Sequence, residues 1–551
     1  RDFCLSRGLG DVYKRQAMAT AVIAQPRALK RLPIEVWTLI LLQLEPAEIV
    51  VVRNATRTMY AAGTSHLLWN ALLVHYEKRS IPIAWYDCKL HDNCAQALER
   101  SLLVARRVSL AWQTHGAQPK RVVRFRAHAN RITSIKMIPG CTSSDYWLIT
   151  GSVDGFVRVW DVHRALSQNG AMDVTPELHQ DISLPEDAVP VDPATDIRRS
   201  SNAFLVAEVD TGGDVTSIDA SMDRTTRTMR IAVGSYYNTA ACLLYELHLD
   251  TLPHIMDLCA TLDPPEWCGT QCVSLLHDVV AVGTYTGRVY LLHWHTGERC
   301  MLEHAEPGSI AALKLLPSHM ISITRLGSLY VYERFGMTQA RLVAQHTLSP
   351  HPILSVSFGE SCMERAGQLA SGTITDPTPL AVMCADPVGV SHWAWRSAED
   401  LTKIRHLDMP PERLIGASIG ALGRCGLITT SLGGVPPVCS ARAYTLGRTL
   451  CSIRPTPELT LPEWNQAPPP TPPTPPLPQG DGGSPATSQR RRARVDSFSS
   501  TSTTSSIAPA PSSRVDMLTE SALDEARGLV CLASVRGAVW ISDYGNSLDT
   551  M

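Results

Sequence analysis

At 551 residues the chain exceeds one ordinary core and calls for at least two structural units. Hydrophobic content of 44% with 19% charged residues is that of a globular protein, and a formal net charge of -2 gives no global electrostatic footprint for nucleic acid. The longest apolar run, Val36 to Val52, is broken by Gln43, Glu45, Pro46 and Glu48, which argues against a membrane span.

The chain opens on a stretch to be left out of fold reasoning, residues 1–17. Within it Ser6 to Gln16, SRGLGDVYKRQ, resembles the in-frame translation of a transposase-based sequencing adapter, which places the native start at Met18. No apolar stretch follows its basic residues, so it does not read as a signal peptide.

From Leu32 the apolar positions Val36, Leu39, Ile40 and Leu44 recur at helical spacing. Pro46 suits the first turn of a second helix, where its missing N–H costs nothing. Ile49, Val52 and Ala55 are then expected on that helix's buried face. Leu67, Leu68, Leu72 and Leu73 surround Trp69 in a third cluster, which makes residues 31–75 a three-helix unit too small to bury a large core alone. Residues 76–120 read as a helical linker, most clearly from Cys94 to Val108. Cys88, His91 and Cys94 lack a clear fourth ligand, so the trio reads as structural rather than as a metal site, as do Cys268 and Cys272. The fifteen scattered cysteines form no CxxC pair and fit reduced thiols of the cytoplasm or nucleus.

His128 to Asp161 is the clearest unit of a repeat. It runs through a turn at His128, a strand Ile132–Ile135, a strand Trp147–Thr150, a turn Ser152-Val153-Asp154-Gly155 and a strand Phe156–Trp160. Weaker copies centre on Ile231–Ser235, Val279–Thr284, Met320–Thr324, Leu380–Cys384, Leu427–Thr430 and Leu529–Ser534. Most pair an apolar strand with a small-residue turn and a second apolar or aromatic strand. The expected architecture is therefore multidomain α + all-β, a small helical module followed by a seven-bladed β-propeller over 121–545. Arg121 to Arg126 would supply the missing outer strand of the last blade and close the ring.

Two insertions interrupt the array. Residues 165–203 are acidic and loop-like, placed between the third and fourth strands of the first blade. Residues 466–513 carry the run Pro468 to Pro478, which favours polyproline II, then a Ser/Thr-rich stretch. Thr471, Thr474 and Ser497, the last behind the basic run Arg490–Arg494, read as candidate phosphosites. That basic run equally suits a nuclear import signal or a solubilising role.

The spacing Leu32-Pro33-x-Glu35, Leu39-Ile40, Leu44, Pro46 and Leu68-Trp69-x-x-Leu72 resembles an F-box, and His128, Thr150, Asp154 and Trp160 resemble the polar tetrad of a WD-repeat blade. Met59 and Tyr60 stand where the F-box pattern commonly has an aromatic, and Ala127 stands where the WD pattern usually has glycine. The first resemblance implies docking on a Skp-type adaptor through Leu32, Pro33, Glu35, Val36, Leu39, Ile40, Leu44 and Trp69, and through that adaptor a cullin–RING (SCF-type) ubiquitin ligase. A helical cap packed on its own propeller is the plainer alternative. The second implies a hydrogen-bonded tetrad that pins the blade. In proteins joining the two modules, one face of the ring receives the substrate, and several relatives grip phosphorylated peptides with arginines.

Here the matching turn positions are Val153, Tyr236, Tyr285, Arg325, Asp386 and Val535, with Arg131 and Arg536 nearby. A phosphate site would want several converging guanidiniums. Arg131, Tyr236, Tyr285 and Arg325 instead make a mixed aromatic surface for a protein substrate, although both tyrosines equally suit packing within their blades. No GxSxG elbow, Walker loop, HExxH or dinucleotide fingerprint occurs in a suitable setting, so no catalytic residue, cofactor or metal is expected. The reading is a non-catalytic substrate-recognition subunit with a protein substrate and neither nucleic acid nor membrane as partner. A propeller scaffold unconnected with ubiquitin transfer is the alternative.

Overall fold

The structure is a computed structural model. It describes residues 32–78, scattered positions between 99 and 108 and, with short gaps, 119–168, 204–360, 380–445 and 518–544. Residues 1–17, most of the 76–120 linker with Cys88, His91 and Cys94, Cys268, residues 169–203 and the whole 466–513 insertion with Thr471, Thr474 and Ser497 lie outside the described residues.

Helices α1 (Ile34–Leu41), α2 (Pro46–Val52), α3 (Arg57–Gly63) and α4 (His66–Lys78) form the N-terminal module, with a 3-10 turn at Arg53–Ala55. Local chemistry sets each start. Glu45 and Glu48 form a reciprocal capping box ahead of Pro46, and the Thr56 hydroxyl accepts the Met59 N–H at 3.1 Å. The core of the module is Trp37, Leu41, Ile49, Met59, Ala62, Leu68, Trp69, Leu72 and, from the following segment, Leu102. Two ion pairs tie that segment back: Arg53 to Glu99 at 2.6 Å and Arg106 to Glu45 at 3.0 Å. Ala55 is exposed in the 3-10 turn rather than buried as expected, because α2 ends at Val52.

Sheets follow in a ring. Six are four-stranded and a seventh, over Arg413–Ile419, Cys425–Leu432 and Val438–Thr445, has three strands among the described residues. The expectation of seven blades is thereby corrected to six complete blades. The departure falls on the weakly marked Leu427–Thr430 unit. Blades 1 to 5 span 132–210, 214–262, 270–303, 310–347 and 355–408, and the closing blade joins 518–543 to Arg121–Arg126. That last strand runs antiparallel to Ala538–Asp543, so both ends of the array share one sheet and remove two free edges. First strands contact first strands all the way round.

Two-sided burial explains the near-continuous apolar strands. In Val279–Thr284, Val280 and Val282 pack toward blade 2 while Val279 and Ala281 pack toward blade 4. Hydroxyls on first strands also accept backbone N–H groups from the next blade: Ser134 from Ile218 at 3.0 Å, Ser217 from Val273 at 3.2 Å, Ser274 from Leu315 at 3.1 Å and Ser357 from Ile419 at 3.0 Å. The insertion after the third strand of blade 1 falls where expected, but its first residues are not a loop. Val162–Gln168 forms helix α5, whose Val162, Ala165 and Leu166 are buried with Phe204 and Trp160.

Candidate functional site

Strand register puts the starts of first strands and the turns after second strands on one face, since Ile132 pairs Ser152, Thr270 pairs Thr284 and Leu518 pairs Ser534. Four of those turns share a plan. In Ser152–Gly155, Thr284–Gly287, Thr324–Gly327 and Ser534–Gly537 the glycine N–H donates to the first residue's carbonyl at 3.1, 3.3, 3.1 and 3.2 Å. The glycines sit at φ +85, +88, +97 and +78°. This is a type I turn closed by a left-handed residue. In the last three its two middle residues face outward, leaving Tyr285 47% and Leu326 53% exposed, whereas in the first Asp154 turns inward.

The tetrad lies under the first of these turns. The Trp160 indole N–H donates to Thr150 Oγ1 at 2.9 Å, Thr150 Oγ1 lies 2.8 Å from His128 Nε2, and His128 Nδ1 lies 3.1 Å from both Asp154 oxygens. One assignment of protons pairs the four members of the tetrad, with Thr150 donating to Nε2 and Nδ1–H donating to the carboxylate; Arg158 Nη1, also 3.0 Å from Nδ1, is then left to its carbonyl and carboxylate partners. Burial pushes the His128 imidazolium down, so the ring is neutral. Burial pushes Asp154 up, but the His128 contact and the Ala129 and Phe156 N–H groups outweigh it and hold the carboxyl at about 2. Arg158 Nη1 donates to the Ala127 carbonyl at 2.9 Å and stands 3.5 Å from Asp154. The arrangement is fully used internally and has nothing left to offer a substrate.

A second version escaped the sequence reading. In blade 4, His304 Nε2 lies 2.7 Å from Ser322 Oγ and Nδ1 lies 2.8 Å from Tyr332 Oη. Tyr332 pairs Met320 as Trp160 pairs Leu148, so Ser322 and Tyr332 occupy the Thr150 and Trp160 places. Burial lowers His304 to about 4. Blade 5 uses yet another device: Asp386 accepts Val388 and Gly389 N–H groups at 2.8 and 2.9 Å and the Ser349 hydroxyl at 2.6 Å. The only hint in the sequence was the histidine itself, shifted relative to its strand.

Of the four residues expected to meet a substrate, the structure brings two together. The Tyr236 and Tyr285 rings meet edge to face, 5.4 Å apart at 68°, across blades 2 and 3. Gly269, at φ +53°, accepts the Tyr285 N–H at 3.3 Å, and a Cβ there would lie 2.5 Å from the Tyr236 ring. Arg131 and Arg325 belong to blades 1 and 4, on either side of this pair. Their carbonyls are pinned by the Val153 and Ile353 N–H groups at 3.0 and 2.8 Å, and both residues are exposed. Leu354, Val388 and Val535 add exposed apolar groups to the same face.

The helical module holds the second candidate surface. Ile34, Val36, Leu39 and Ile40 of α1 are exposed, with Leu39 at 63%, as are Val51, Tyr60 and Leu67 at 74%. Pro33 and Glu35 are exposed, while Leu32 and Leu44 are half-buried against the module core. Trp69, expected on the docking face, is instead wholly buried, and its indole N–H donates to the Gly63 carbonyl at 2.8 Å, so it belongs to the core of the module.

Comparison with known proteins agrees with the geometry of blade 1. Residues 119–161 match the family model for the WD domain, G-beta repeat. No curated protein matches the chain. The chain therefore carries a WD repeat within a β-propeller, an architecture that suggests a protein-interaction scaffold. Among the described residues no helix is long and apolar enough to cross a membrane, and no cluster of His, Cys, Asp and Glu could hold a metal.

Proposed function

We propose that this chain is a non-catalytic substrate-recognition subunit of a cullin–RING (SCF-type) ubiquitin ligase. Its helical module docks on a Skp-type adaptor through an F-box-like face, and the turn face of the propeller holds a protein substrate. The observation that carries the reading is the α1 surface. Trp37 and Leu41 already fill the module's core, yet Ile34, Val36, Leu39 and Ile40 remain in water. So small a unit exposes such a stripe at a cost, which covering by a partner removes. Ubiquitin transfer would then be accelerated by proximity, with no side chain of this chain taking part. This reading places the chain in the cytoplasm or nucleus, without a cofactor.

The test is co-purification of the full chain with a Skp-type adaptor, beside Leu39→Glu and Leu32→Ala/Pro33→Ala variants. Stoichiometric capture by the parent, lost in the folded Leu39→Glu variant, supports the reading. Absence of capture by the parent overturns it and leaves a WD-repeat scaffold unconnected with ubiquitin transfer.

A further inference from the structure

The outer strands of the ring differ in what can pair with them. In blades 1, 2, 4 and 5 the outer strand carries one unmatched residue against its neighbour, at Val206, Cys259, Val343 and Ile404. Such bulges twist an edge away from further pairing. The outer strand of the closing blade, Arg121–Arg126, has none. It runs in unbroken register with Ala538–Asp543 and is the last strand of its sheet among the described residues. Blade 3 also lacks a bulge, but its outer strand Arg299–Glu303 carries charges of both signs and selects no partner. Arg121–Arg126 is selective. Val123 and Phe125 are buried toward blade 1, while Arg124 and Arg126 are exposed on the opposite side. Arg124 lies 5.1 Å over the Trp540 ring, and Arg126 donates to the His128 and Ala129 carbonyls at 3.3 and 3.4 Å, contacts that leave both side chains in water. A second copy of this strand would set arginine beside arginine, which like charges oppose. An added strand must be acidic on one face and apolar on the other.

We propose that Glu177–Leu184 of this chain adds to Arg121–Arg126 as a fifth strand of the closing blade. The segment reads ELHQDISL between Pro176 and Pro185. Leu178, Ile182 and Leu184 share one parity with Gln180, and Glu177 and Asp181 share the other, which is the alternation of a strand stopped at both ends by proline. Paired with Arg121–Arg126, its apolar residues extend the Val123 and Phe125 face and its two carboxylates stand beside Arg124 and Arg126. The connection permits it. Before the insertion, Val162, Ala165 and Leu166 of α5 are buried in one cluster with Val123 and Phe125, and after it the Phe204 ring meets the Phe125 ring at 4.7 Å. Both stems therefore stand against the strand that is to be covered. From Gln168 to Glu177 the chain spans up to about 30 Å at ~3.3–3.6 Å per residue, and from Leu184 to Phe204 it spans more. The strand itself is about 20 Å long. So short a tether keeps the effective concentration on the order of 1 mM, which favours this acidic segment over a free one.

The proposal depends on neither the helical module nor the turn face, so it stands or falls apart from the ligase reading. Amide hydrogen exchange of the full chain is followed by mass spectrometry at two protein concentrations. A Glu177→Lys/Asp181→Lys variant is run beside it, as is that variant combined with Arg124→Glu/Arg126→Glu. Slow exchange over Val279–Thr284 reports in each case that the ring is folded. The expected result is slow exchange over residues 177–184 in the parent, faster by about ten-fold or more in the first variant and slow again in the second. Exchange over 177–184 at the rate of an unstructured peptide in the parent overturns the proposal. So does protection that survives the first variant or fails to return in the folded second one. Protection that depends on concentration overturns it too, because a second copy would then supply the strand.

Discussion

Trp160 donates its indole N–H to the Thr150 hydroxyl at 2.9 Å, and that hydroxyl spends its own proton on the ring of His128, 2.8 Å away. The relay is directional, so removing its first member leaves a buried acceptor unpaired at the seam of blade 1 and the closing blade. Trp160→Phe keeps most of the packing against Phe125 and Phe204, whose rings lie 4.9 and 5.9 Å from Trp160. It should cost about 1–3 kcal/mol. The check is a urea titration in which the midpoint falls while the slope is unchanged; an unchanged midpoint would show that the relay adds nothing to stability.

The same site fixes an acid limb of stability. The Asp154 carboxyl is at about 2 in the fold against 3.8 for an ordinary aspartate. A depressed carboxylate contributes fully above its unfolded value and loses that contribution as pH falls from 3.8 toward 2. The shift corresponds to roughly 2 kcal/mol. Asp154→Asn should therefore lower stability at neutral pH and flatten the loss over that window, read from urea midpoints across pH 2 to 5. A parallel pair of curves would refute the assignment.

How legible was this fold beforehand? Second and third strands are buried on both faces and stand out as apolar runs, so Val279–Thr284 and Leu529–Ser534 could be placed. Fourth strands are half in water and alternate, as in Arg299–Glu303, and apart from Arg121–Arg126 no signal separated them from loops. The blade 1 tetrad was readable because all its members are present at regular spacing. The His304–Ser322–Tyr332 version was not, because a tyrosine and a serine replace the expected partners. Spacing picked out the apolar positions of α1, but it could not tell Trp69, which is interior, from Leu67, which is exposed.

That last distinction has a measurable consequence. Trp69→Ala removes a buried indole and its hydrogen bond to Gly63, and should cost about 3–5 kcal/mol, enough to unfold the helical module. Leu67→Ala removes a side chain already in water and should change stability by no more than about 0.5 kcal/mol. Limited proteolysis within residues 32–78 should accelerate for the first variant alone. Equal rates for both would mean that Trp69 is not a core residue.

His392 offers the opposite sign. It is buried in the third strand of blade 5, neither ring nitrogen has a hydrogen-bond partner among the described residues, and burial lowers it to about 4. A histidine held neutral contributes no pH dependence above its unfolded value near 6.5, and stability falls as pH drops from there toward 4. His392→Leu removes the unpaired nitrogens and should raise stability at pH 7 by about 1 kcal/mol. It should also remove part of the decline between pH 6.5 and 4. A destabilised variant with the slope intact would show that the ring has a partner in solution.

Two glycines separate backbone strain from a steric block. Gly537 sits at φ +78° with both the Ala127 and His128 N–H groups donating to its carbonyl, at 2.8 and 3.0 Å, and a Cβ there would lie 2.1 Å from the His128 carbonyl oxygen. Gly212 sits at φ +72° with nothing among the described residues within 4 Å of the same position. Alanine at either pays the left-handed penalty of about 1–2 kcal/mol. Only at 537 must it also push blade 1 away from the closing blade, which is where the two ends of the array are joined. Gly537→Ala should therefore exceed Gly212→Ala in its cost by 1 kcal/mol or more, of the order that overpacking imposes (about 1–3 kcal/mol). Equal midpoints in urea would mean the ring closes through contacts other than this turn.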